Sequence, residues 1–209
     1  MSAGIGLVHR RLSILDLSPA GAQPMMSASG RYVLAFNGEI YNFPDLTREL
    51  VAAGHQFRTH CDTEVIVHAY EEWGDACVEH FNGQFAFALW DRTEKRLFLA
   101  RDRFGIRPLY LARVGRVLLF ASEMKALMGV CNQVHEFPPG HYWVSGQKEP
   151  QRWYRRDWEE FPAVENAVTD KAELREALRD HGIVIPGRTR FVGALHDTTT
   201  DEVRCFDHD

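Results

Sequence analysis

No pair of cysteines stands at metal-ligand spacing in these 209 residues. Cys61, Cys77, Cys131 and Cys205 lie far apart with no CxxC, which excludes a zinc ribbon and a disulfide framework and fits a reducing cytoplasm. A basic excess is missing too. The 24 Lys and Arg against 29 Asp and Glu leave a net charge of −5. There is therefore no electrostatic footprint for DNA or RNA, and no basic amphipathic stretch points to a membrane surface. Apolar runs such as "FAFALW" at 85–90 fall far short of the ~20 residues that span a bilayer. Residues 1–11 have neither a charged n-region nor a long apolar h-region, so export is not expected. What is present is material for one packed domain, 45% hydrophobic and 11% aromatic.

Hydrophobic period divides that material into strands and helices. Residues 5–9 and 31–36 read as strands. A helix is expected over 44–53, with Asn42 as cap, Pro44 in its first turn and Gly54 as its stop. A second is expected over 62–73: Asp62 or Thr63 caps it, Val65, Ala69 and Trp73 keep helical spacing, and Gly74 ends it. From Gln84 the period shortens to that of a hairpin, "QFAFALWD" and "LFLARD" about the turn "RTEKR". Further strands are read at 109–111, 117–121 and 141–145, a brief helix in "SEMKALMG", and a charged helix at 170–180 with an Asp170…Glu173 capping box. Antiparallel strands with helices grouped between them indicate an α+β fold. Beyond Asp180 no helical period survives, and the stretch reads as a frayed tail with at most a hairpin about Pro186-Gly187.

Several motifs carry chemistry as well as structure. Arg10 and Arg11 end the first strand; two solvated arginines are the default, but a guanidinium there also forks onto a carboxylate. "FNGEIYN" at 36–42 contains the strongest hairpin dipeptide, yet a helix follows where a second strand should. An Asn side-chain amide beside a Gly N–H equally offers two convergent donors, the chemistry of an oxyanion hole, and Gly allows close approach to the backbone. Asp62 in "CDTEV" is an N-cap by default, and its remaining lone pairs suit a ligand ammonium. Arg101, Asp102, Arg103 and Arg107 in "ARDRFGIRPLY" read as a buried or half-buried ionic network that fixes a loop. His9, His55, His60 and His68 share no ligand spacing, so no metal is expected.

In their order, "HRRLSILDLSPAGAQPM", "FNGEIYN", "CDTEVIVHAYEEWG", "GQFAFALWD", "ARDRFGIRPLYL" and "ASEMKAL" resemble the glutamine-hydrolysing domain of the asparagine synthetase B family, a class II glutamine amidotransferase. The likeness runs from about Gly4 to Asp180, and "EFPPGHYW", "WYRRDW" and "VTDKAELREALRD" favour it over the amidotransferases of purine and amino-sugar synthesis. The resemblance implies a four-layer αββα sandwich of the N-terminal-nucleophile (Ntn) hydrolase type and a site for free L-glutamine. Arg11 would pair with the substrate α-carboxylate, Ile14 would line the pocket, Asn37 and Gly38 would form the oxyanion hole, Glu39 would stand at the substrate end, and Asp62 would receive the α-ammonium. The family's N-terminal Cys thiolate attacks the amide with its own α-amine as base, ammonia leaves, and water frees glutamate from the thioester. The ammonia then serves a second domain that activates aspartate with ATP and Mg²⁺.

Two departures shape the expectation. The family begins with that Cys and an Arg-Gly-Pro stretch, neither of which precedes "RLSI" here, and by the resemblance about forty family residues, with the first strand, would be missing ahead of Met1. Ser2 stands in the wrong place to substitute for the nucleophile. The synthetase "SGG-LDSS" loop is also absent, and the sharp loss of likeness after 180 suggests a shifted reading frame or a truncated gene. The expected organisation is an N-terminally truncated amidotransferase domain over 1–165, a helix at 166–180 leading toward an absent synthetase domain, and a divergent tail at 181–209. No cofactor is expected in this chain; ATP and Mg²⁺ belong to the family's synthetase domain. Partners would be L-glutamine and either a second copy or a companion synthetase chain, with neither nucleic acid nor membrane. The alternative from another class is a non-catalytic glutamine-binding or partner-docking module.

Overall fold

The computed structural model describes residues 4–10, 21–155, 192–197 and 202–207. These fall in two compact units, Met1–Arg156 and Asp157–Asp209.

The first unit is built on "FAFALW". As part of strand β3 (Gly83–Asp91) the run is buried on both faces, which is why it reads as continuous apolar sequence and not as alternation. Phe85, Phe87 and Leu89 enter one core while Ala86, Ala88 and Trp90 enter another. β3 pairs antiparallel with β2 (Tyr32–Ile40) and with β4 (Arg96–Arg101). The two-residue β1 (Met25–Met26) lies against β2 at one edge of the sheet. Strands β5 (Tyr110–Val114), β6 (Val117–Ala121) and β7 (Val134–Glu136) form a separate sheet in the order β6-β5-β7. β8 (His141–Val144) and β9 (Gln151–Arg152) complete the first sheet as β1-β2-β3-β4-β8-β9.

Helices α1 (Phe43–Ala52) and α2 (Asp62–Trp73) cover one face of the larger sheet. Leu46 and Leu50 of α1 and Val65, Ile66 and Ala69 of α2 close over Leu34, Phe36, Phe87 and Phe98. The second core lies between the sheets, where Leu97, Leu99 and Trp143 meet Leu109, Phe137 and partly buried Leu118 and Phe120. Helix, sheet and sheet are thus three of the expected four layers. The one-turn α3 (Lys125–Met128) adjoins β6. The helix expected over 170–180 lies outside the described residues.

Three local expectations change. Residues 5–9 do not form a strand, although Ile5 and Leu7 pack on the inter-sheet core. Asn42 occupies the cap position of α1 but makes no side-chain cap bond. Its amide instead donates to His80 O and accepts from Asn82 N–H, both at 2.9 Å, tying the end of β2 to the loop before β3. The cap position of α2 falls to Cys61, not Asp62 or Thr63.

In the second unit β10 (Val192–Asp197) and β11 (Glu202–Asp207) pair antiparallel along their full length. Over those two segments the chain is a hairpin, not a frayed end. The hairpin considered about Pro186-Gly187 lies outside the described residues.

Candidate active site

Asn37, Gly38 and Glu39 do not follow a strand; they are its continuation. β2 runs on to Ile40, with Asn37 opposite Ala86, Gly38 opposite Phe85 and Glu39 opposite Gln84. Gly38 is required on two counts. Its φ of +153° lies where side-chain-bearing residues seldom go, and a Cβ there would stand 2.1 Å from Gln84 O. Gly83 answers it across the pair, since a Cβ at that position would meet Glu39 O at 2.2 Å. The two glycines let β2 and β3 approach closely at this end.

The direction of the Gly38 N–H follows from ladder alternation. Phe85 turns its N–H and carbonyl toward Asp102, so the Gly38–Phe85 pair does not exchange hydrogen bonds. The backbone of Gly38 is therefore turned to the other side of β2, as are its alternate neighbours. Phe36 N–H donates there to Gln23 Oε1 at 2.7 Å, and Ile40 N–H to Asp62 Oδ2 at 3.1 Å. Gly38 N–H lies between those two bonds, on the edge that β1 leaves uncovered beyond Leu34. One position earlier, Asn37 lines a cavity of about 100 Å³ between the sheets, with His9, Pro108, Leu109 and Ser122.

Asp62 is buried at 5% exposure and opens helix α2. Burial pushes its carboxyl above the ordinary aspartate value, N–H bonds from Ile40 and Thr63 oppose this, and Glu39 raises it further by repulsion. Glu39 and Asp62 thus lie near enough at the end of β2 for their charges to repel. Neither lines the cavity at Asn37. Arg11 and Ile14 lie outside the described residues.

The "ARDRFGIRPLY" segment fixes a loop as expected, but with backbone groups as the main partners. Asp102 is fully buried and accepts N–H bonds from Phe85, Phe104, Ile106 and Arg107 at 2.9–3.1 Å. Arg101 donates to the carbonyls of Arg107, Gly105 and Phe137 and pairs with Glu136 at 2.8 Å. Sequence reasoning missed Glu64, three residues past the Cys61 cap, which is the capping-box position. Its carboxylate accepts the Arg58 and Thr59 N–H groups and the Thr59 hydroxyl. Burial would raise its carboxyl, but those bonds, led by the Thr59 hydroxyl, hold it below the usual range. The loop that delivers Asp62 is anchored through it.

Residues 1–177 match the family model described as "Glutamine amidotransferase domain". The chain belongs to that family. Among curated relatives, the amidotransferase domain is 46% identical over 175 residues to "Asparagine synthetase B [glutamine-hydrolyzing]" of Escherichia coli, covering 83% of this chain and 31% of that protein. It is 47% identical over 122 residues to "Asparagine synthetase [glutamine-hydrolyzing] 3" of Bacillus subtilis, covering 57% and 20%. The chain spans about a third or less of the length of these relatives. A solved glutamine phosphoribosylpyrophosphate amidotransferase from B. subtilis superposes with a TM-score of 0.61 at 25% identity, covering 71% of this chain and 34% of that one. The fold is accordingly that of the Ntn-hydrolase amidotransferases. A second family model, "Probable inorganic carbon transporter subunit DabA", matches residues 164–209. No helix among the described residues is long and apolar enough to cross a membrane.

Proposed function

We propose that this amidotransferase domain binds free L-glutamine at the end of β2, as the ammonia-supplying part of a glutamine-hydrolysing asparagine synthetase. The observation that carries the reading is the run Asn37–Ile40. In it a backbone that favours Gly turns the Gly38 N–H to the edge of β2 that β1 does not cover, next to an amide side chain. The following N–H on that edge, that of Ile40, is held by the buried Asp62 carboxylate. A zwitterion with an amide end needs these groups: donors for the carbonyl oxygen where charge develops, and an anion for the ammonium. Asn37 and Gly38 are assigned to the oxyanion, Asp62 with Glu39 to the ammonium. Arg11 is assigned to the α-carboxylate and Ile14 to the pocket wall, on the family resemblance.

The nucleophile is none of Cys61, Cys77 and Cys131. Burial pushes the Cys77 thiol well up. Cys61 is buried with Sγ 3.0 Å from Thr59 Oγ1, and Cys131 donates to Leu127 O. None of the three lines the cavity at Asn37. A polypeptide of these 209 residues is therefore expected to hold glutamine without hydrolysing it. Titration calorimetry should give saturable heat with L-glutamine, reduced tenfold or more in affinity by Arg11→Ala. No saturable heat would sink the binding assignment, and ammonia release that disappears in Asn37→Ala would sink the assignment of the nucleophile. The ATP and Mg²⁺ chemistry of asparagine formation is assigned to no residue of this chain, and residues 164–209 stand apart from the proposal.

A further inference from the structure

The loop after α1 folds His55 back onto the middle of α2. Its N–H donates to Leu50 O at 3.0 Å while Gly54, at φ +105°, closes the helix before it. There it meets His68, whose ring centroid is 5.0 Å away, and Glu71, one helical turn further on. Glu71 Oε2 is 3.0 Å from His68 Nδ1 and 3.7 Å from His55 Nδ1. One donor atom from each of the three residues lies within 4.8 Å of the others. Around a tetrahedral ion with bonds of ~2.0–2.1 Å the donors stand roughly 3.3 Å apart. The two carboxylate–imidazole distances straddle that value.

The surroundings complete the arrangement. Each imidazole has a second carboxylate at its far nitrogen: His55 Nε2 is 3.0 Å from Glu72 Oε2, and His68 Nε2 is 3.6 Å from Glu64 Oε1. A histidine that binds a metal through Nδ1 carries its hydrogen on Nε2 and gives it to such a group, which fixes the ring and raises its basicity. Nor is the His68 Nε2 position satisfied by a hydrogen bond here, although its side chain is only 7% exposed. Three carboxylates around two imidazoles leave the cluster anionic. His55 and Glu71 keep 16% and 24% of their side-chain surface, a path for an ion from solvent.

We infer that His55, His68 and Glu71 form a binding site for a divalent transition-metal cation of the zinc class, which clips the loop after α1 to helix α2. Two imidazoles and one carboxylate suit zinc, cobalt or nickel, and are too nitrogen-rich for magnesium or calcium. The ion takes the place of the hydrogen between His68 Nδ1 and Glu71, and the imidazole shifts that hydrogen to Nε2, toward Glu64. The site stands in the layer that carries Asp62 but two turns along α2 from it, so it acts on the stability of the helix pair and not on the substrate.

The test uses the whole chain, stripped with chelator and titrated with Zn²⁺ by calorimetry and with Co²⁺ by absorption. One ion per chain is expected, with no thiolate-to-cobalt charge-transfer band. His55→Ala and Glu71→Gln, both at partly exposed positions, should weaken binding by at least tenfold. Glu72→Gln should weaken it by ~10-fold, the usual scale for an outer carboxylate. His60→Ala, an exposed histidine outside the cluster, should leave it unchanged. Zn²⁺ should also raise the melting temperature of the parent and not of His55→Ala. Binding that survives His55→Ala and Glu71→Gln, a thiolate band, or no saturable heat would each overturn the assignment.

Discussion

Asp62 and Asp102 sit on either side of the same strand pair, and each holds the N–H of a strand end. Ile40 of β2 donates to Asp62, and Phe85 of β3 donates to Asp102. They differ in what is left over. Asp102 accepts four backbone N–H bonds, which fill the approximately four lone-pair sites of a carboxylate. Asp62 takes Ile40 and the first turn of its own helix and faces Glu39 with no cation against it among the described residues. Two buried aspartates of similar placement thus differ in their partners: Asp102 builds a loop, and Asp62 is the one assigned above, as a proposal, to the ligand ammonium.

The comparison is broken most severely at Asp102. Asp102→Ala leaves the buried Phe85 N–H and three partly buried N–H groups without an acceptor, and at ~1 kcal/mol each the loss is roughly 3–4 kcal/mol. That is a large part of the ~5–15 kcal/mol that holds a domain, so the variant should be insoluble or melt far below the parent in urea titration. Gly38→Ala comes next. The methyl would sit 2.1 Å from Gln84 O at a backbone angle hostile to alanine, for an expected cost of ~2–3 kcal/mol in urea midpoint at unchanged m-value. A cost below ~1 kcal/mol would show that the strand pair opens there.

Asp62→Asn should behave in the opposite manner. The amide oxygen still accepts the Ile40 N–H, and a carboxylate whose ionised form burial already disfavours is not missed by the fold. Stability should change by less than ~1 kcal/mol, while affinity for L-glutamine falls by ~10–100-fold, the worth of a hydrogen bond to a charged group. Equal losses in both measurements would make Asp62 a second Asp102.

How much of this was legible in the sequence depends on the range of the interaction. The hairpin of β3 and β4 and both helices follow from period and punctuation, because they are local. "FNGEIYN" was legible as chemistry but not as geometry: strand propensity ends at Phe36, and only pairing with Gly83–Phe85 carries β2 on to Ile40. Asn42 looks like a cap until the His80–Asn82 loop, 38 to 40 residues away, takes its amide. Residues 5–9 have a strand's composition but do not form a strand. Asp62 and Asp102 look alike in sequence, since what separates them is the count of N–H groups that the fold delivers. His55 and His68 are thirteen positions apart, a spacing that matches no ligand motif until the loop after α1 turns back.

The smallest effect is the most selective. The Asp62 carboxyl titrates above the ordinary ~3.9 of an unfolded aspartate, so its contribution to stability is present below that value and fades as pH rises through the folded one. A glutamine ammonium reverses the preference, because it pairs with the ionised carboxylate. Affinity for glutamine should therefore fall as pH is lowered through a window above the usual aspartate range, where the folded domain itself is not losing stability through this group. Glu64 supplies the contrast. Its depressed carboxyl gives stability that is present above the unfolded value and is lost only as pH drops through the lower folded one. Calorimetric titrations across the acid range should show glutamine binding weakening first and the fold failing later. In Asp62→Asn the residual binding should be flat over the first window. A parent whose affinity and melting temperature decline together would mean that Asp62 never meets the ammonium and that its charge serves the fold alone.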